Sequence, residues 1–162
     1  MLFRSYLDDR LSIQTAAQRF EGYQHALEVA HIEVDEQIVH HGLRSVQEAV
    51  RATAALLDLP DPPTALFTSQ NLVTIGAARA LLDLGLSRSV AMIGFDDFPM
   101  ADVFRPGISV LAQDIEVIGR KVAEILFRRL DGDESPTETI TVPTHLVERG
   151  SGEIRFGERA GD

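Results

Sequence analysis

The sequence contains no cysteine and no tryptophan, and a single lysine, Lys121. Without cysteine there can be no disulfides, no thiolate nucleophile and no Cys-ligated metal. Aromatic residues make up only 6% of the chain, and no apolar run is long enough to cross a membrane. The opening residues, MLFRSYLDDR, carry no apolar stretch of signal-peptide length, so the expectation is a cytoplasmic chain. Basic residues are scarce beside acidic ones, giving a formal net charge of -10. Such a surface repels phosphate backbones, so nothing suggests that this chain by itself grips DNA or RNA. A GxxxxGK[ST] loop and a GxGxxG turn are also missing.

What is present is a length of 162 residues with a hydrophobic fraction of 44%, enough for a domain with a substantial core. The most informative stretch, residues 64–97, reads TALFTSQNLVTIGAARALLDLGLSRSVAMIGFDD. Residues 64–68 are rich in β-formers and follow the breaker Pro62-Pro63. An amphipathic segment comes next, with Ile75, Ala78 and Leu82 at helical spacing and Gly85 at a helix-stop position. The apolar run 90–95 then ends in Asp96 and Asp97. Strand, helix, strand with short links is a βαβ unit, whose strands are parallel and whose crossover is right-handed. Ligands of such sheets bind beyond the carboxyl ends of the strands, which directs attention to Ser69, Gln70, Asn71, Asp96 and Asp97.

The flanking sequence continues the pattern. Residues 1–6 read as the end of a strand. Residues 13–30 form a helix by the recurrence of Ile13, Ala16, Ala17, Phe20, Tyr23, Leu27 and Ala30, with Gly22 suggesting a close packing contact. Residues 36–40 are a short strand candidate. Ser45 and Glu48 have capping-box spacing, opening a helix that the run Pro60-Asp61-Pro62-Pro63 ends. Pro99 suits the first turn of a short helix capped by Asp97. After Pro106-Gly107 come a strand at 108–112 and a helix capped by Asp114, with Ile115, Ile118, Val122, Ile125 and Leu126 on one face. A polar loop at 131–138 leads to a β-segment at 139–147 in which Pro143 marks an edge or bulge, and 150–162 read as a loose tail. This order predicts α/β with a mostly parallel sheet covered by helices.

Several polar positions admit two readings. Asp96 is either a strand-end carboxylate accepting from two hydroxyls of a polyol, or a turn residue, the commoner role of aspartate in such a place. Gln70 begins a helix, where amides also cap. Arg19 is either a cleft residue or a snorkelling surface arginine, and Gln113 either a ligand contact or a plain loop residue. Phe95 could stack on a sugar ring, although an aromatic at a buried strand end is more often core. His40 and His41 are adjacent on a strand candidate and point to opposite faces, so no metal site is taken from them. No nucleophile–base arrangement stands out, which makes an enzyme the weaker class.

The segments AAQRFEGYQHAL, PTALFTSQNLVTIGAARALLDLGL, VAMIGFDDFPMADVFRPGISVLAQD, IGRKVAEILFRRLDG and HLVERGS occur in that order. Together they resemble the C-terminal half of transcriptional regulators of the lactose/galactose repressor (LacI/GalR) family, over residues 11–151. The resemblance implies a doubly wound, type I periplasmic-binding-protein-like fold. Most of this chain would be the C-terminal lobe, with residues 108–132 belonging to an otherwise absent first lobe, residues 1–151 forming a partial effector-binding domain and 152–162 a flexible tail. It implies that Arg19 and Asp96 grip effector hydroxyls, that Gln70 is a cleft amide, and that Gln113 lies near the crossing between lobes. It further implies a sugar-like small-molecule effector, no cofactor, and homodimerisation through the Leu72–Leu84 helix and the 100–106 segment, with Leu81 and Leu84 available for apolar contact. Operator DNA would be bound only by an N-terminal helix-turn-helix that this sequence lacks. One departure is Pro106-Gly107-Ile108-Ser109 where the family usually has PPLT. The alternative kept open is a stand-alone sugar binder or an α/β enzyme using Asp96 and Asp97.

Overall fold

The alternation of short apolar runs with amphipathic segments resolves into one sheet with helices on its two faces. The computed structural model describes residues 4–155. Its elements are β1 (Arg4–Leu7), α1 (Gln14–Val29), a 3-10 turn (Glu36–Ile38) leading into β2 (Val39–His40), α2 (Val46–Leu57), β3 (Ala65–Thr68), α3 (Asn71–Asp83), β4 (Ala91–Phe95), β5 (Ser109–Gln113), α4 (Ile115–Leu130) and β6 (Thr144–Val147). The sheet order is β2-β1-β3-β4-β5-β6. All pairs are parallel except β5 with β6. The expected α/β class and the βαβ unit at its centre are therefore present. Because β1 to β5 run the same way, their carboxyl ends line up along one edge.

Register explains which side chain meets which helix. Ser5 pairs with Leu66 and Leu66 with Met92, so these share a face. Tyr6 pairs with Phe67 and Phe67 with Ile93, on the opposite face. The first face carries α2 and α3, and its core includes Leu7, Leu56, Leu66, Val73, Met92 and Val110. The second face meets α1, where the Tyr6 ring lies 5.2 Å from that of Phe20 and 4.9 Å from that of Tyr23.

Local signals mostly act as the sequence suggests. The Ser45 hydroxyl accepts from the Glu48 N–H at 3.2 Å, although the Glu48 carboxylate reaches back to the N–H of Arg44 at 2.7 Å, one residue before the cap. At the end of α3, Gly85 adopts φ +69°, its N–H bonds to the Leu82 carbonyl, and that of Leu86 bonds to Leu81. This is the pattern of a glycine-terminated helix.

Four expectations are corrected. The buried side of α3 is broader than the stripe Ile75, Ala78, Leu82: Val73, Gly76, Ala77, Ala78, Ala80 and Leu81 are buried, while Leu82 is exposed. The helix packs on both the sheet and α2, and Leu81 belongs to this core rather than to a free surface. No helix follows Asp97; the segment is a series of turns, and Met100 at φ +69° cannot continue a right-handed helix. Gly22 is exposed with nothing close to its missing Cβ, so no packing contact explains it. The segment from Gly150 is not loose at its start. Ser151 is buried, its hydroxyl donates to the Met92 carbonyl at 2.6 Å and accepts from the Ser109 N–H at 2.8 Å. Residues 156–162 lie outside the described residues.

β5 is an interior strand, with Val110 fully buried. The helix that follows it, α4, has no buried residue, and Ile115, Val122, Leu126, Phe127 and Leu130 are exposed.

Candidate functional site

The four residues singled out in the sequence stand on or just beyond the carboxyl edge of the sheet, or reach it. Asp96 is the first residue after β4. It has φ +69°, a left-handed conformation that aspartate tolerates better than most side chains, and its N–H donates to the Leu111 carbonyl at 2.9 Å. This turn leaves its carboxylate beside Gln113, whose Nε2 donates to Oδ1 at 2.5 Å. The parallel register of Phe95 with Leu111 brings the two groups within one residue of each other along the strands.

Arg19 comes from α1 and is half-buried rather than snorkelling outward. Its Nη1 donates to the Ser69 carbonyl at 2.8 Å, and its guanidinium lies 3.8 Å from the centre of the Phe95 ring. A cation over an aromatic face is attracted by the ring quadrupole. Phe95 is thus half-buried and serves as the seat of Arg19, not as plain core. Gln70 is the N-cap residue of α3, yet its side chain makes no cap; Nε2 reaches the Leu43 carbonyl at 3.4 Å. Arg19, Asp96 and Gln113 are joined through β4 and its neighbours, and Gln70 follows directly on Ser69.

Sequence reasoning missed the group beneath this edge. Asp8, one residue beyond β1, is buried together with Tyr6 and Ser69. The Ser69 hydroxyl donates to Asp8 Oδ1, which also accepts from the Asp9 N–H at 2.6 Å. The Tyr6 hydroxyl donates to Oδ2 at 3.2 Å, and His41 Nδ1 lies 3.9 Å from the same oxygen. Burial, above all, pushes the Tyr6 phenol well above its ordinary value, so it remains a protonated donor. Burial likewise lowers His40, helped by the adjacent His41. The signal available in the sequence was only that Asp8 immediately follows a strand.

Asp97 is separated from Asp96 in role. Both of its oxygens accept from Arg149, at 2.9 and 2.7 Å, and Oδ1 also accepts from the Phe98 N–H at 2.9 Å. The Arg149 guanidinium, first of all, holds the Asp97 carboxyl below its usual range. Among the described residues no group of three His, Cys, Asp or Glu side chains could hold a metal ion.

A parallel sheet with an acid, an arginine and amides at its carboxyl edge has the form of a small-molecule-binding α/β domain. The chain belongs to the periplasmic binding protein-like domain family, whose model matches residues 8–152. More particularly, it corresponds to the C-terminal half of transcriptional regulators of the LacI/GalR type. It is 32% identical over 137 residues to the HTH-type transcriptional regulator CelR of Thermobifida fusca, covering 83% of this chain and 40% of that protein. It is 28% identical over 148 residues to the HTH-type transcriptional repressor PurR of Mannheimia succiniciproducens, covering 90% and 44%. Among solved structures, a LacI-family regulatory protein from Chloroflexus aggregans superposes with a TM-score of 0.84 at 30% identity, covering 91% of this chain and 54% of that one. A CelR–cellobiose complex superposes with a TM-score of 0.83 at 30% identity, covering 92% and 46%. The chain therefore spans less than half the length of these two curated relatives. They are regulators by name, and no helix among the described residues is long and apolar enough to cross a membrane.

Proposed function

We propose that this chain is the effector-sensing portion of a DNA-binding transcriptional regulator, and that Arg19, Gln70, Asp96 and Gln113 contact a sugar or similar polyhydroxy ligand. The observation that carries this reading is the convergence of these side chains on one sheet edge. Gln113 occupies one oxygen of Asp96, and the other has no partner among the described residues. Among those residues Arg19 makes one hydrogen bond, from Nη1, leaving its other N–H groups for ligand hydroxyls. A carboxylate and a guanidinium held this way suit vicinal hydroxyls.

The expected assignment of all of 108–132 to an otherwise absent first lobe does not hold for 108–113, because β5 is an interior strand of this sheet. In this reading only α4 and the turn after it face that first lobe, which accounts for α4 burying no residue of its own here. Closure of the lobes around effector then changes the spacing of DNA-binding heads located outside this chain. Homodimerisation is assigned to the groove between α3 and the 100–108 segment. It has a volume of about 380 Å³ and an apolar lining that includes Leu82, Met100 and Val103, each largely exposed. The rival use of Asp96 and Asp97 as a paired metal or phosphoryl site is disfavoured because Arg149 occupies both Asp97 oxygens.

The test is a titration of the isotope-labelled chain with cellobiose, the sugar named in the CelR complex, and a panel of neutral sugars. Saturable shifts at Arg19, Asp96 and Gln113 support the reading. A Mg²⁺ response at Asp96 and Asp97 with none to any sugar overturns it.

A further inference from the structure

The buried carboxylate of Asp8 has no part in the binding reading above, although it lies directly beneath the site. Asp8 is 1% exposed, and its immediate partners Tyr6 and Ser69 are fully buried. Joining β1 to β3 does not require it. The ladder already runs from Arg4–Ala65 to Leu7–Thr68 and is extended by the Ser69 N–H to the Leu7 carbonyl at 3.0 Å. What Asp8 adds lies beyond the ladder. Its Oδ1 accepts the Ser69 hydroxyl, and the Tyr6 hydroxyl and Asp9 N–H hold the carboxylate in place. The Ser69 carbonyl in turn is the acceptor for Arg19 Nη1, and Ser69 leads straight into Gln70. One residue is thus gripped by Asp8 through its side chain and grips Arg19 through its main chain.

We propose that Asp8 is a positioning residue for effector recognition: it fixes Ser69, and through the Ser69 carbonyl it fixes the guanidinium of Arg19. The proposal rests on the reading of Arg19 as a ligand contact. Asp8 acts only through Ser69. The seat on Phe95 sets the plane of the guanidinium, and the Ser69 carbonyl sets its rotation within that plane.

The test is the side-chain NMR spectrum of the arginine-labelled chain, without ligand. A held guanidinium rotates slowly and gives separate Nη resonances; a free one gives a single averaged signal. The unaltered chain is expected to show separate signals for Arg19, and also for Arg149, which Asp97 holds independently. Asp8→Ala and Ser69→Ala are expected to collapse the Arg19 signals and leave those of Arg149 separate. Asp8→Asn retains an oxygen acceptor for Ser69 and is expected to restore them. Ser69→Ala removes a single hydroxyl and keeps the carbonyl, so it carries the test if Asp8→Ala does not fold. Arg19 signals that stay separate in Ser69→Ala overturn the proposal, as does a collapse of Arg19 and Arg149 together. Because no sugar is involved, the binding reading can fail in its own titration without touching this result.

Discussion

The amide of Gln113 donates to the carboxylate of Asp96 at 2.5 Å, across 17 residues of sequence. The bond exists because β4 and β5 are parallel neighbours, with Phe95 opposite Leu111. It orients the acid and leaves the second oxygen without a partner among the described residues, the oxygen that the proposed reading gives to a ligand. Asp96→Ala should therefore weaken binding of the responding sugar about 10- to 100-fold, the scale of hydrogen bonds to a charged group. Gln113→Ala should cost less, about 3- to 10-fold, because it removes a neutral contact and loosens the acid without removing the charged group. Isothermal titration of both variants checks the order. Equal losses would mean that the two side chains contact ligand to the same extent.

Two glycines in helices should respond in opposite directions. Gly22 is exposed with open space around it, so Gly22→Ala should stabilise the chain by about 0.5–1 kcal/mol. Gly76 sits where α3 crosses α2. A Cβ there would fall 2.5 Å from that of Ala49 and 2.6 Å from the Val46 carbonyl oxygen. Gly76→Ala should destabilise by about 1–3 kcal/mol, since backbone must move. Urea unfolding midpoints measure both.

The Asp97–Arg149 pair should give a small acid-dependent contribution to stability. The folded pKa of Asp97 is lowered, chiefly by its hydrogen bonds to Arg149. The contribution is therefore complete above the unfolded carboxylate value of about 4 and fades as pH falls through the lower folded value. The Asp97 side chain is 41% exposed, which keeps the effect below about 1 kcal/mol. In Arg149→Met this part of the pH dependence should vanish from unfolding curves recorded between neutral and acid pH. An unchanged slope would show that the pair contributes nothing measurable.

Much of this fold was legible because its signals are local. The breaker Pro62-Pro63, the stop at Gly85 and the Ser45 cap each act within a few residues. The buried side of α3 was not, because a helix packed on both a sheet and another helix buries small residues such as Gly76 and Ala80 that carry no amphipathic signal. Asp8 was missed for a related reason. In sequence it opens the charged run Asp8-Asp9-Arg10, and only the pairing of β1 with β3 brings Ser69 over it. The family resemblance pointed to Arg19, Gln70, Asp96 and Gln113 as ligand contacts, whereas the bond between Gln113 and Asp96 depends on sheet register. Pro99 misled because the helix it could begin is interrupted at once by the left-handed Met100.

The exposed apolar residues of α4 should make the isolated chain associate. Val122 is 60% and Phe127 63% exposed. Serine at both positions should reduce self-association in sedimentation while changing the unfolding midpoint by less than about 0.5 kcal/mol equivalent, as surface substitutions do. A large loss of stability would mean that this face is already covered within the chain.

The most direct measurement of effector binding is a cellobiose and neutral-sugar titration of the labelled chain, compared with its Asp96→Ala variant. The predicted result is saturable shifts at Arg19, Asp96 and Gln113 that disappear in the variant. Saturable sugar binding that survives Asp96→Ala, with shifts away from the carboxyl edge of the sheet, would contradict the site assignment.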